Sequence, residues 1–264
     1  MDPIRLDELP SEIIEYAGTI TSLTFPRQGY TSDVAIIEGS RGRFVVKRSK
    51  VEPYSSWLSQ EVHVLNGLRS TELPIPEVYR FAEQKNEKQV WALLPFFEGE
   101  TLRQTLMKER NTDKKHEIIY HFGAVLSTIH STPCPDALIS SDSVWLEDML
   151  SRAEYNLTHY SVDGTAELLE MLKTNKPLPT CQTLIHGDFT IDNVLVSNGK
   201  ITSIIDWSGG GYGDPRYDLS LAIRPKPSAF EVQSEIDAFF EGYGKKLLTE
   251  QEYSYFAEGL YEFF

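Results

Sequence analysis

The stretch LIHGDFTIDNVLV, residues 184–196, limits the fold more than any other part of the chain. Apolar runs at both of its ends read as short buried strands, yet His186, Asp188, Asp192 and Asn193 stand between them. Charge beside buried strands is costly unless it meets a partner or a metal, so the segment reads as a loop held for chemistry. The turn that follows sets its geometry. Asn198-Gly199 is the strongest short hairpin signal; with these as the loop residues, Ser197 pairs with Lys200 and Asn193 lies opposite Ile204. Side chains alternate along a strand, so Asp206 falls on the face of Asn193, one diagonal step of about 7–8 Å away. Hard oxygen donors without cysteine or clustered histidine suit magnesium rather than zinc. Taken singly, Asn193 and Asp188 read as caps and Asp206 as the start of a loop; their joint spacing selects the chemical reading.

The spacing Asp188-x-x-x-x-Asn193 is that of the kinase catalytic loop, in which the aspartate takes the proton of the attacking hydroxyl and the asparagine binds magnesium. His186 then buttresses the backbone, and Asp206 stands at the second metal-binding position, followed by Trp207-Ser208 instead of Phe-Gly.

Such chemistry needs a strand lysine and a helix glutamate. The run Phe44-Val45-Val46-Lys47 supplies the lysine, while Arg48 and Lys50 read as solvated charges. On a helix over residues 54–68, Leu58, Val62, Leu65 and Leu68 cover one face, and Glu61 falls within that arc. An acid on an apolar face wants a buried cation, and Lys47 is the natural one. A phosphate-covering loop over residues 27–32 carries Gly29, Thr31 and Ser32 but only one glycine.

Around these residues the pattern is α+β. Strands are expected over residues 20–25, 34–38, 43–48, 77–81 and 89–94, with the one main helix over 54–68. After Pro95, helical spacing dominates residues 101–107, 114–130, 143–157, 165–172, 230–243 and 249–264. This divides the chain into an N-terminal antiparallel β lobe over residues 1–94, a hinge over 95–99 and a helical lobe over 100–264.

Composition narrows the classes. The formal net charge of −14 excludes a basic nucleic-acid surface and accommodates a cationic small substrate. The longest apolar run, residues 90–97, is too short to span a bilayer. The acidic, proline-containing start is not a signal peptide, so the expectation is a cytoplasmic protein, monomeric or weakly dimeric, without membrane or nucleic-acid partners. Cys134 and Cys181 stand in no metal-like spacing and read as reduced thiols.

With these residues in hand, the chain resembles the aminoglycoside phosphotransferase family of kinase-like enzymes over nearly its full length. The most specific stretches are IHGDFTIDNVLV and IIDWSGGGYGDPRYDLSLAIRP, with LSTIHSTPCP, residues 126–135, in support. Within that family it looks most like the 3′-phosphotransferase branch, through LLEMLKTNKP and the ending Glu262-Phe263-Phe264. The resemblance implies a two-lobed kinase-like fold and transfer of the γ-phosphoryl of ATP, or GTP, to a substrate hydroxyl with magnesium. It gives Asp188 the role of catalytic base, Asn193 and Asp206 the metal, and Lys47 the phosphates with Glu61 as its partner. Leu94, Pro95 and Phe97 fall in the hinge beside the adenine, and Glu262 and Phe264 match positions that meet substrate ammonium groups. Two departures stand out: Gly209 replaces an arginine of that branch, and Pro225-Lys226-Pro227-Ser228 replaces acidic side chains.

The resemblance points to an aminoglycoside as acceptor; the wider family also phosphorylates choline, homoserine, macrolides and sugars. A protein kinase would show Ala-Pro-Glu after Asp206, and none follows. A metallophosphoesterase would need further histidine ligands, and His63, His116, His121, His130 and His159 sit in no such spacing. A non-catalytic nucleotide-binding module is disfavoured because the main catalytic residue types are all present. Trp145, Glu154, Tyr155 and Tyr160 are expected to line the acceptor pocket.

Overall fold

The computed structural model describes residues 3–26, 31–139 and 144–264, and the chain divides into two compact units. Unit 1 comprises residues 1–99 together with 202–209, and unit 2 comprises 100–201 and 210–264.

Unit 1 opens with helix α1 (Ser11–Ala17), then β1 (Ile20–Thr24), β2 (Asp33–Gly39) and β3 (Gly42–Ser49). Helix α2 (Tyr54–Gly67) and strands β4 (Arg80–Gln84) and β5 (Gln89–Pro95) follow. The strands form one antiparallel sheet in the order β1-β2-β3-β5-β4. Period-two alternation sends Val46, Trp91 and Leu93 into one apolar cluster with Ile13 and Ala17 of α1. The opposite face carries Val90 and Ala92, packed with Leu58 and Val62 of α2. Lys47 pairs with Ala92 in the register and so belongs to this second face. Strand geometry alone therefore aims Lys47 at α2.

Unit 2 contains β6 (Glu100–Thr101), α3 (Leu102–Lys108), α4 (Thr112–Ser131), α5 (Trp145–His159) and α6 (Ala166–Thr174). Strands β7 (Thr183–Ile185) and β8 (Val194–Ser197) bracket the loop singled out in the sequence. The chain turns through Asn198 (φ 52°) and Gly199 (φ 74°) into β9 (Lys200–Ile204), the positive φ pair that a tight hairpin demands. Then come β10 (Gly211–Gly213), α7 (Pro215–Ala222), α8 (Gln233–Tyr243), α9 (Glu250–Ala257) and a closing 3₁₀ turn, Leu260–Phe263. Strand β10 pairs antiparallel with β7, and β6 with β8. The core of unit 2 gathers Leu150, Leu172, Tyr217, Phe256 and Phe263. No helix among the described residues is long and apolar enough to cross a membrane.

Three expectations need correction. Residues 100–264 are not one continuous lobe, because residues 202–209 pack with unit 1. There the Ile204 amide donates to the Pro74 carbonyl at 2.7 Å, and Trp207 is wholly buried. The helix expected over 249–264 ends at Ala257, and the chain after it tightens into the closing turn. Arg48 is not solvated. It is fully buried, its guanidinium bonded to Asp33 at 2.8 and 3.0 Å and to Glu8 at 2.9 Å, with the Trp91 ring 5.2 Å away.

Candidate active site

In unit 1 the Lys47 ammonium donates to both oxygens of Glu61, at 2.8 and 2.9 Å, and also to Asp206. Lys47 and Glu61 are only 8% and 4% exposed. Burial works against the Lys47 charge, but the carboxylates of Asp206 and Glu61 outweigh it and hold its pKa above the ordinary lysine range. The lysine is therefore a permanent cation. Asp206 sits at φ 64°, and its side chain is 46% exposed, so its carboxylate faces both the ammonium and open space.

In unit 2 the loop between β7 and β8 is held from beneath. Asp218, wholly buried on α7, accepts the backbone N–H of His186 at 2.6 Å and of Gly187 at 2.8 Å. It also meets His130 Nε2 at 3.3 Å, and His130 Nδ1 lies 2.9 Å from the Tyr243 hydroxyl. Burial and the nearby Asp218 push the Tyr243 phenol up to about 12. The phenol thus keeps its proton, and His130 links it to the Asp218 carboxylate. His186 is wholly buried, and its Nδ1 accepts the Asp188 N–H at 3.2 Å. That is the buttress expected of it.

The Asp188 side chain is fixed at both oxygens. Asn193 Nδ2 donates to Asp188 Oδ2 and to the Asp188 carbonyl, both at 2.8 Å, and the Tyr261 hydroxyl donates to Oδ1 at 3.2 Å. Asp192 forms a two-point ion pair with Arg103, which neutralises the second carboxylate of the loop. Asn193 is 7% exposed; its amide nitrogen is committed to Asp188, leaving the amide oxygen as its remaining donor. An amide oxygen is the kind of hard donor that magnesium takes. Among the described residues, no group of three or more His, Cys, Asp or Glu could hold a metal.

The remaining candidates are placed as follows. Gly29 lies outside the described residues. The Thr31 carbonyl accepts the Ser49 hydroxyl at 3.1 Å, and Ser32 directly precedes β2. Leu94 and Pro95 pair with Val45 and Phe44, while β4 pairing ends at Leu93; Phe97 lies two residues beyond β5. Glu262 sits 3.6 Å from Arg224 Nη2, and the Phe264 ring lies 5.5 Å from the Arg152 guanidinium. Of the proposed pocket residues, Trp145 packs against the Tyr217 ring at 5.3 Å, and Tyr155 stacks on His159 at 3.9 Å. Burial and Asp136 push the Cys134 thiol up to about 11, which excludes it as a nucleophile near neutral pH.

Sequence reasoning missed Asp218, Tyr261 and Arg103. Asp218 carried the signal that identified Glu61, an acid inside an apolar run, here RYDLSLA. Tyr261 and Arg103 carried none, since each reaches its partner across 73 and 89 residues of sequence.

A family model described as "Phosphotransferase enzyme family" matches residues 22–256. An aminoglycoside 3′-phosphotransferase of Niallia circulans is 27% identical, the match covering 97% of both chains. Among solved structures, the apo form of a thermostable mutant of aminoglycoside phosphotransferase APH(4)-Ia superposes with a TM-score of 0.68 at 20% identity, covering 94% of this chain and 87% of that one. A spectinomycin phosphotransferase in complex with ADP and spectinomycin gives 0.65 at 19%, covering 97% and 84%. At these identities the structures establish a shared kinase-like α+β fold.

Proposed function

The chain belongs to the phosphotransferase enzyme family, and from that premise we propose that it transfers the γ-phosphoryl group of ATP, with GTP as an alternative donor, to a hydroxyl of an aminoglycoside. The observation that carries this reading is the Lys47 ammonium shared between Glu61 and Asp206 inside unit 1. A buried, permanently charged lysine on a strand, locked by a helix acid, is the part that phosphoryl transfer uses to receive phosphates. The acceptor follows from the relative of near-complete coverage, an aminoglycoside 3′-phosphotransferase.

In this reading Lys47 orients the donor phosphates, and Leu94, Pro95 and Phe97 lie beside the adenine, with Gly29, Thr31 and Ser32 in the loop over the phosphates. Asp188 accepts the hydrogen bond of the acceptor hydroxyl and takes its proton as the oxygen bonds to the γ-phosphorus. The bridging P–O bond breaks and ADP departs. Asn193 and Asp206 are the residues that would hold magnesium, and the bound ion would supply positive charge to the phosphates. The residues themselves contribute positioning and fixed charge, the principal levers in this chemistry.

A second reading has its own observation. Glu262, the acid that the resemblance matches to substrate ammonium groups, faces Arg224, and Lys226 lies in the segment where the resemblance implies acidic side chains. Both favour a less cationic alcohol such as a macrolide or sugar. The test is magnesium-dependent ADP release across aminoglycosides, macrolides, choline, homoserine and sugars, with wild type and Lys47→Met. The proposal expects turnover on an aminoglycoside and a KM for ATP raised at least tenfold in Lys47→Met. Turnover only on a macrolide or sugar would select the second reading, and an unchanged KM for ATP would remove Lys47 from the nucleotide site.

A further inference from the structure

We propose that Tyr261 is a positioning residue for the catalytic base, tying the Asp188 carboxylate to the closing turn that carries Glu262. The inference rests on the reading of Asp188 as that base.

Asp188 Oδ2 is held by Asn193 within the same loop. Oδ1 is held by the Tyr261 hydroxyl, a group from the far end of the chain. One anchor would let the carboxylate plane turn about its Cβ–Cγ bond. Two anchors on different oxygens fix that plane.

The tyrosine is itself immobilised. The Arg224 guanidinium lies 4.6 Å from the centre of its ring and reaches Glu262 at 3.6 Å. The turn beneath it is pinned twice: the Gly164 N–H donates to the Glu262 carbonyl at 2.8 Å, and Asn156 Nδ2 donates to the Phe263 carbonyl at 2.9 Å. Burial and the adjacent Asp188 carboxylate raise the Tyr261 pKa, so the phenol stays protonated and acts as a donor throughout the working pH range.

One consequence separates positioning from packing. Losing the anchor disorders the base after substrates have bound, which lowers kcat and leaves the KM for ATP in place.

The experiment compares wild type, Tyr261→Phe and Asp188→Asn. Phenylalanine keeps the ring beneath Arg224, and a thermal melt matched to wild type establishes that packing is intact. The expected result for Tyr261→Phe is a five- to thirtyfold fall in kcat with an unchanged KM for ATP. Tyr261→His, a second variant retaining a donor, is expected to recover part of kcat. Wild-type kcat in Tyr261→Phe, with Asp188→Asn inactive, would overturn this inference alone. An active Asp188→Asn would overturn the reading beneath it.

Discussion

Replacing Lys47 by methionine would strand the Glu61 carboxylate, 4% exposed under β3, without its ammonium. Removing one partner of a buried pair costs about 3–5 kcal/mol, whereas replacing both by apolar groups is often neutral. Lys47→Met is therefore expected to lower the urea midpoint sharply, and Lys47→Met with Glu61→Leu to recover most of the loss. A double variant as unstable as the sum of the singles would contradict that. The pH dependence follows in sign. A raised lysine pKa contributes stability that is complete below the unfolded value, about 10.4, and is lost as pH rises through the folded one. Wild type should lose stability above about pH 10.5 more steeply than Lys47→Met, as followed by denaturant titration at stepped pH. At this scale the sequence was legible where local pattern sufficed: Glu61 betrayed itself by sitting on the apolar arc of α2. Arg48 did not, because its partner Asp33 is its cross-strand neighbour in the β2–β3 register, and a register is not visible before the strands are paired.

Among elements, the crossing of α4 and α8 shows how propensity and packing part company. A Cβ on Gly123 would lie 2.0 Å from the Phe239 carbonyl oxygen, and one on Gly242 would lie 1.9 Å from the Tyr120 carbonyl oxygen. The two helices meet backbone to backbone through reciprocal glycines. Gly→Ala in an exposed helix stabilises by about 1 kcal/mol; here Gly123→Ala should destabilise by about 1–3 kcal/mol or more, since the clash is with main chain. A melting temperature at or above wild type for Gly123→Ala would refute the close crossing. The same crossing bears on the site, because α4 carries His130, which meets Asp218, and α8 carries Tyr243, which meets His130. Element positions were legible wherever apolar period and turn residues agreed, as in β2, β3, α2, α4 and the Asn198-Gly199 turn. They were less so where the periodicity was short or broken. Helix α1 spans only seven residues and gave no signal, and strand β4 begins at Arg80, three residues later than expected over 77–81.

For the whole molecule, the return of residues 202–209 to unit 1 is the feature that a linear reading could not reach. A chain cut at one boundary places Asp206 with the helical lobe, but its partner Lys47 and the packing of Trp207 place it with the sheet. What was legible was the pair of Lys47 with Glu61 and the family to which the motifs point. What was not legible was the scaffold around the Asp188 loop, namely Asp218 beneath it and Tyr261 beside Asp188, since both act across long stretches of sequence. The central claim, that Asp188 serves phosphoryl transfer to an alcohol, is tested most directly by mass analysis of a kanamycin-type aminoglycoside incubated with the protein and magnesium-ATP. The account predicts an acceptor carrying one added phosphoryl group with wild type and none with Asp188→Asn, although that variant still binds nucleotide. Equal phosphorylation by Asp188→Asn, or no phosphorylated product from this or any other alcohol while wild type binds ATP, would contradict it.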